Sequence, residues 1–264
     1  MCGRYRLTAK ERWLSAHFNI DPEDVEWAAR WNVAPTQEVA TIRQDKREPK
    51  RRFRKMRWGL IPYWAKDASF GGNTINAVSE TAIEKPAFRE PLRRRRCLIP
   101  ADGFYEWKKT GSNKQAYHIG MVDDGLFAFA GLWDTWSPGD NHPSKPTPGS
   151  SPSHLAKTGQ GGSPGAGAPN GEVIVSCTIL TTEANALLKS IHSRMPVILA
   201  PEDYDRWLDP GICDPSRVAD LLRPFDAQRM RVYPVSATVN HVENDGPECA
   251  KESSAEPADQ ASLF

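Results

Sequence analysis

From residue 39 onward the chain is made of short β-branched and aromatic stretches, each closed off within a few positions by proline, glycine or another turn residue. Pro35, Pro62, Gly71-Gly72, Pro86 and Pro91 break the first part of this pattern, and strands are expected at 96–99, 104–107, 117–121, 127–133, 173–180, 197–199 and 232–235. Helices are expected in fewer places. Thr8 with Glu11 three residues on forms a capping box, predicting a helix with Trp13, Leu14, His17 and Phe18 on one side. Further helices are predicted at 182–191, at 201–208 beginning on Pro201, and at 215–222 beginning on Pro215 after a capping Asp214. Strands and helices do not alternate in a βαβ rhythm. The expected class is therefore α+β, with a curved, largely antiparallel, barrel-like sheet and flanking helices.

One stretch departs from this texture. Of the 35 residues in 137–171, 15 are Pro or Gly and almost none are large and apolar. Such a segment buries too little surface to offset the entropy of ordering. Strand-like sequence abuts it on both sides, so it reads as a disordered insertion in one domain spanning 1–245, followed by a disordered acidic tail at 246–264. From Glu243 to Phe264 there are six acidic residues and one lysine, which leaves 33 basic and 27 acidic residues in 1–242, a net of +6. Arg51, Arg52, Arg54, Lys55, Arg57 and Arg93 to Arg96 form two basic runs of the kind that suits a phosphate backbone. No apolar run reaches the 18 or more residues of a membrane span, and the start does not resemble a signal peptide. The expectation is a monomer that is not secreted: cytoplasmic or nucleoid-associated in a bacterium, nuclear in a eukaryote. The five cysteines make no CxxC hook and the six histidines are scattered, so neither a metal nor a cofactor is expected.

Cys2 stands apart from the other cysteines by position. Removal of Met1 leaves it with a free α-amine beside its thiol, a 1,2-aminothiol. The amine forms an imine with an aldehyde, and the sulfur then closes a five-membered thiazolidine. An unperturbed α-amine titrates at about 8 and a free thiol at about 8.5, so in water both are partly nucleophilic at neutral pH.

Six motifs in order give the chain a resemblance to a known family. They are Cys2-Gly3-Arg4-Tyr5; Trp31-Asn32-Val33-Ala34-Pro35; Trp58-Gly59-Leu60-Ile61-Pro62-Tyr63-Trp64-Ala65-Lys66; Ile75-Asn76-Ala77 with Glu80; the run from Arg96 through Pro100-Ala101-Asp102-Gly103-Phe104-Tyr105-Glu106-Trp107; and His192-Ser193-Arg194-Met195-Pro196. Together they resemble the SOS-response-associated peptidase (SRAP) family, the abasic-site processing proteins. The resemblance implies that Cys2 forms a thiazolidine crosslink to the ring-opened sugar of an abasic site in single-stranded DNA. It also implies that Asn76 positions the reacting amine, Glu106 transfers protons and His192 promotes opening of the sugar ring. Arg4 and Arg194 match phosphate-contacting positions, and Pro35 and Trp64 match apolar positions that wedge or stack against bases. Abasic single-stranded DNA is the implied partner, with replication-fork proteins as further partners.

Residue chemistry is compatible with those roles. Imidazole can release the aldehyde from a closed hemiacetal. A partly buried carboxylate can shuttle the protons of imine formation. An amide oxygen can accept from the amine without acting as a base. Two features leave alternatives open. The family usually reads Asn-Ala-Arg where this chain has Asn76-Ala77-Val78, so a phosphate-contacting cation is missing unless Arg6 or Lys66 compensates. Cys2, His192 and Glu106 also compose a Cys-His-acid peptidase set, whose activity could be limited to autocatalytic removal of Met1. Non-covalent strand binding and a lyase side reaction through the imine are the remaining readings.

Overall fold

The computed structural model describes residues 2–45, 50–111, 113–138 and 173–254. Its strands and helices, in chain order, are β1 (Arg4–Leu7), α1 (Glu11–Phe18), β2 (Arg30–Val33), β3 (Glu38–Gln44), β4 (Arg51–Trp58), β5 (Asn76–Val78), α2 (Pro86–Arg94), β6 (Arg96–Ala101), β7 (Gly103–Thr110), β8 (Asn113–Met121), β9 (Phe127–Trp136), β10 (Ile174–Glu183), β11 (Arg194–Pro196), β12 (Ile198–Leu199), α3 (Tyr204–Leu208) and β13 (Met230–Pro234). Among the described residues no helix is long and apolar enough to cross a membrane.

The strands form two sheets. In the larger, β4, β3, β6, β9 and β10 pair in sequence, and β10 returns to β4, closing a five-stranded ring. All these pairings are antiparallel except the closing one, β10 with β4, which is parallel, as is β10 with the short β5. The second sheet runs β13-β8-β7-β1-β2, antiparallel throughout. The expected α+β class with a curved, mainly antiparallel sheet is what the chain forms.

Side-chain size explains how the ring closes. Strand β9 is buried on both faces over Phe127 to Leu132 and alternates large with small residues. At Gly131 an added Cβ would lie 2.8 Å from Cys97 Sγ and 2.9 Å from Ile99 Cδ1, so β6 and β9 approach as they do because there is no side chain between them. Between the sheets, Tyr5 of β1 packs edge-on against Trp58 and Phe129, with ring centroids 5.5 and 5.8 Å away. The first strand is thus part of the core.

Polar groups fix its exit. The Asp102 carboxylate accepts from the Thr8 backbone N–H (2.6 Å), the Thr8 hydroxyl (2.7 Å) and the Ala9 N–H (3.1 Å), and pairs with Arg6 at 3.0 Å. This corrects the expected capping box. Thr8 turns to Asp102, and the residue that caps α1 is Lys10, whose side chain makes no capping bond. The expected helix at 182–191 is also absent. Thr182 and Glu183 extend β10 along β11, and a run of turns follows. Asn185 organises those turns, accepting the Leu188 N–H on its side chain and donating to Phe225 O. Residues 215–221 form a 3-10 segment, with Asp214 accepting from Ser216 N as expected of a cap.

The expected loose tail from 246 is corrected as well. Cys249 and Ala250 are buried against Tyr105, Val235 and Val239. Ser253 N–H donates to Pro234 O, and Glu252 bridges to Val235. Apolar side chains thus dock the segment through 254, and 255–264 lie outside the described residues. Most of the 137–171 insertion also lies outside them. Its flanks, β9 and β10, are hairpin partners with Ile174 opposite Trp136.

His118, on β8, gives the second sheet a pH-dependent stability. The side chain is fully buried, stacked 4.8 Å from Tyr233, and neither ring nitrogen has a hydrogen-bond partner. Burial first, then the charges of Arg6 and Arg231, lower its pKa from the ordinary 6.5 to about 3. Above pH 6.5 both folded and unfolded chains carry a neutral ring; below it the unfolded chain takes up a proton that the folded chain refuses. Stability is therefore lost as pH falls from 6.5 towards 3, by at most about 1.4 kcal/mol per pH unit. Urea denaturation of the wild type and His118→Asn across this range should show a shallower acid limb in the variant, whatever its absolute stability.

Candidate active site

Strand register brings the site together. Arg4 pairs with Tyr105 and Tyr5 with Phe104 in an antiparallel ladder. Running backwards along β1 towards Cys2 therefore runs forwards along β7 towards Glu106. On the other side β5 lies parallel to β10 with Asn76 opposite Ile179. The segment before β5 is pinned by Trp58, whose indole N–H donates to Ile75 O at 2.8 Å. Asn76 then donates its Nδ2–H to the Cys2 carbonyl at 2.8 Å. Its Oδ1 is buried and has no hydrogen-bond partner, which leaves an acceptor beside the start of the chain.

His192 is delivered by the turns between β10 and β11. Its N–H donates to Leu188 O at 3.0 Å, and Ala184 N–H closes onto Ser193 O at 3.0 Å. The ring Nδ1 lies 2.9 Å from the Arg194 N–H, an obligate donor. Nδ1 also lies 3.1 Å from the Arg194 carbonyl oxygen, so the Arg194 backbone orients the ring through Nδ1 in whichever protonation form it holds. A cleft of about 500 Å³ is lined by His192, Glu106, Arg4, Trp107, Lys109, Lys114 and Asn240.

Burial dominates the electrostatics. Cys2 is fully buried, and desolvation first, then the nearby Glu106 charge, raises the thiol pKa well above its ordinary value. This corrects the expectation of a partly ionised thiol, which holds for a cysteine in water and not for this one. Glu106 is 3% exposed, and burial raises its carboxyl above the usual range, with the His192 charge among the influences that oppose the shift. Both groups thus hold protons more tightly than they do in water.

The expected DNA contacts fall into separate places. Arg4 lines the cleft, and its guanidinium donates to Asn32 Oδ1 (2.9 Å), Val239 O (2.8 Å) and Asn240 O (3.1 Å). Arg194 makes a bidentate pair with Glu80, 2.7 Å on each arm, and a 2.6 Å bond to Thr181 O. The same guanidinium holds the Glu80 carboxyl below the ordinary carboxylate range. Pro35 and Trp64 do not line the cleft. Pro35 is half-buried in a turn, and Trp64 is 41% exposed with its ring edge-on to Phe70. Val78 is exposed. Of the two cations weighed as compensation for it, Arg6 is committed to Asp102, whereas Lys66 is exposed.

Several cations of the two basic runs already have partners within the fold. Arg51, Arg52 and Lys55 pair with Asp205, Asp24 and Glu26 at 2.7, 3.0 and 3.2 Å. Arg96 is buried, bonding to Leu92 O, Trp207 O and Asp209 O, and Arg95 pairs with Asp134. These cations serve the fold. Other cleft residues escaped the sequence reading. Trp107 closes a quoted motif and its indole donates to Asn240 Oδ1 at 2.7 Å. Lys109 and Lys114 have no motif around them. Asn32 donates to Val239 O, His241 O and Asn244 O, holding the C-terminal segment against β2.

The fold is similar to that of a crystallised protein from Bacteroides thetaiotaomicron. That structure is 25% identical, has a TM-score of 0.75, and the match covers 96% of this chain and 100% of that one. A structure from Bordetella bronchiseptica matches with a TM-score of 0.67 at 25% identity, over 89% of this chain and all of that one. The chain belongs to the SOS response associated peptidase (SRAP) family, which matches residues 1–242. Abasic site processing protein YoqW of Bacillus subtilis is 41% identical over 94% of this chain and 98% of its own length. Abasic site processing protein HMCES of Gallus gallus is 31% identical over 79% of this chain and 60% of its own.

Thiol burial has a direct readout. A neutral alkylating reagent applied to the folded, unprocessed chain should label the part-exposed Cys213 at least about a hundredfold faster than the buried Cys2, Cys97 and Cys177. Peptide mass mapping over time measures this; comparable labelling of Cys2 and Cys213 would contradict the burial of the site.

Proposed function

We propose that this chain, once Met1 is removed, captures the aldehyde of an abasic site in single-stranded DNA as a thiazolidine on Cys2. The observation that carries the reading is the grip of Asn76 on the Cys2 carbonyl, with the amide oxygen of the same side chain buried and unpartnered. Asn76 Oδ1 accepts from the Cys2 α-amine and orients its lone pair towards the aldehyde carbon. His192, as imidazolium, donates a proton to the ring oxygen of the closed sugar while the anomeric hydroxyl gives its proton to water, releasing the aldehyde. The amine adds to the carbonyl, and the resulting carbinolamine loses its hydroxyl as water with a proton delivered by Glu106. Sγ then adds to the imine carbon while its proton passes to the nitrogen. The ring closes with the net loss of one water.

The order of events follows from burial. A thiol held un-ionised is a poor first nucleophile, so the amine attacks first and the sulfur acts within the imine, where proximity replaces ionisation. The same fact weighs against a general peptidase, which needs a thiolate at the outset.

An abasic single-stranded oligonucleotide mixed with processed protein should give a band that survives a denaturing gel. Its mass should equal protein plus DNA less one water, and it should be absent for Cys2→Ala. Asn76→Ala and Glu106→Gln should slow its appearance by about a hundredfold or more. No band from protein with Met1 verifiably removed would sink the proposal.

Val78 stands where the family usually carries a cation, so Val78→Arg should raise affinity for single-stranded DNA and steepen its salt dependence by about 0.7 per added phosphate contact. Binding isotherms at several salt concentrations measure this; no gain would mean that position 78 is not what limits binding.

A further inference from the structure

Glu80 has no role in the chemistry above, yet it takes up the cation closest in sequence to His192. Both Nη atoms of Arg194 donate to its two oxygens at 2.7 Å. The second bond of Nη2 goes to Thr181 O, and the Nε–H is buried without an acceptor. The two Nη–H groups that a phosphate would claim are therefore already held by a carboxylate. Its geometry is the planar, two-armed one that makes such pairs strong. Val78, opposite Thr181 in the β5–β10 ladder, brings no second cation to share Glu80.

We infer that Glu80 is a carboxylate gate on the DNA-binding face: a phosphate of the bound strand has to displace Glu80 from Arg194 before that cation can contribute. The inference rests on the reading that single-stranded DNA is the ligand, and it adds a selectivity that this reading lacks. An isolated phosphate competes with Glu80 one against one and gains little. A strand already held at Arg4 and along Lys109 and Lys114 delivers its next phosphate at high local concentration, and the exchange then goes forward. The gate thus favours an extended strand over free sugar phosphates. Glu80 acts through Arg194 and does not touch the reacting atoms.

The test uses a fluorescent single-stranded oligonucleotide without a lesion, so that Cys2 chemistry plays no part, titrated at several salt concentrations. Glu80→Gln keeps the size of the side chain and removes the competing charge. It should bind about fivefold tighter than wild type, with a salt slope steeper by about 0.7 because one more phosphate is neutralised. In an Arg194→Gln background the Glu80→Gln gain should vanish. Equal or weaker binding by Glu80→Gln would overturn the gate, since Glu80 would then be holding Arg194 in place for DNA. A gain that persists without Arg194 would overturn it too, as a mere change in net charge. Covalent capture of abasic DNA with none of these shifts sinks the gate alone; these shifts without covalent capture sink the capture reading alone.

Discussion

Chain ends usually fray, because the first few residues have neighbours on one side only. Here β1 lies between β2 and β7, paired with β7 from Arg4 and with β2 from Tyr5. Tyr5 and Leu7 sink into the shared core, and Asp102 clamps the exit of the strand at Thr8 and Ala9. The position of Cys2 is thereby determined by the fold as a whole. A reactive group at the end of a chain can be aimed only if the chain leading to it is immobile, and the second sheet supplies that immobility. The remaining parts of the site are fixed relative to the same point: Glu106 one ladder step along β7 from the partner of Arg4, Asn76 through its bond to the Cys2 carbonyl, and His192 through the turns that end β10.

The same burial decides which protonation states the site holds. Removing Cys2 and Glu106 from water disfavours their charged forms, so the site stores protons where exposed groups would release them. Under the proposed capture, expelling water from a carbinolamine needs an acid close at hand, and closing a ring on sulfur needs the thiol to wait for the imine. A neutral, dry site serves both needs. Stability elsewhere bears a related cost, since His118 is buried neutral between two arginines and has no acceptor for its ring N–H.

Strand positions and the order of the site motifs were legible in the sequence because β-branched and aromatic runs report burial on a pleated surface, and long motifs keep their residues in register. The exceptions have physical causes. Residues 182–191 have helical periodicity, but Thr182 and Glu183 are drawn into the ladder with β11, and Asn185 satisfies the following backbone with its own side chain. Thr8 and Glu11 have the spacing of a capping box, yet the Asp102 carboxylate, distant in sequence, is a stronger partner for Thr8. The pairing of the basic runs was not legible because their acidic partners, Asp24, Glu26, Asp134 and Asp205, are scattered along the chain. Lys109 and Lys114 join the cleft only because a hairpin folds beside it, which no local pattern announces.

The pairing of Trp136 with Ile174 means that the chain leaves the barrel and re-enters it at adjacent points of a single hairpin. The entropy of joining two such neighbouring ends grows only with the logarithm of the length between them, so doubling that length costs about 0.6 kcal/mol. Lineages could lengthen, shorten or replace this passage almost independently of the chemistry at Cys2. The hairpin is where this architecture can acquire new attachments while its reactive end stays unaltered.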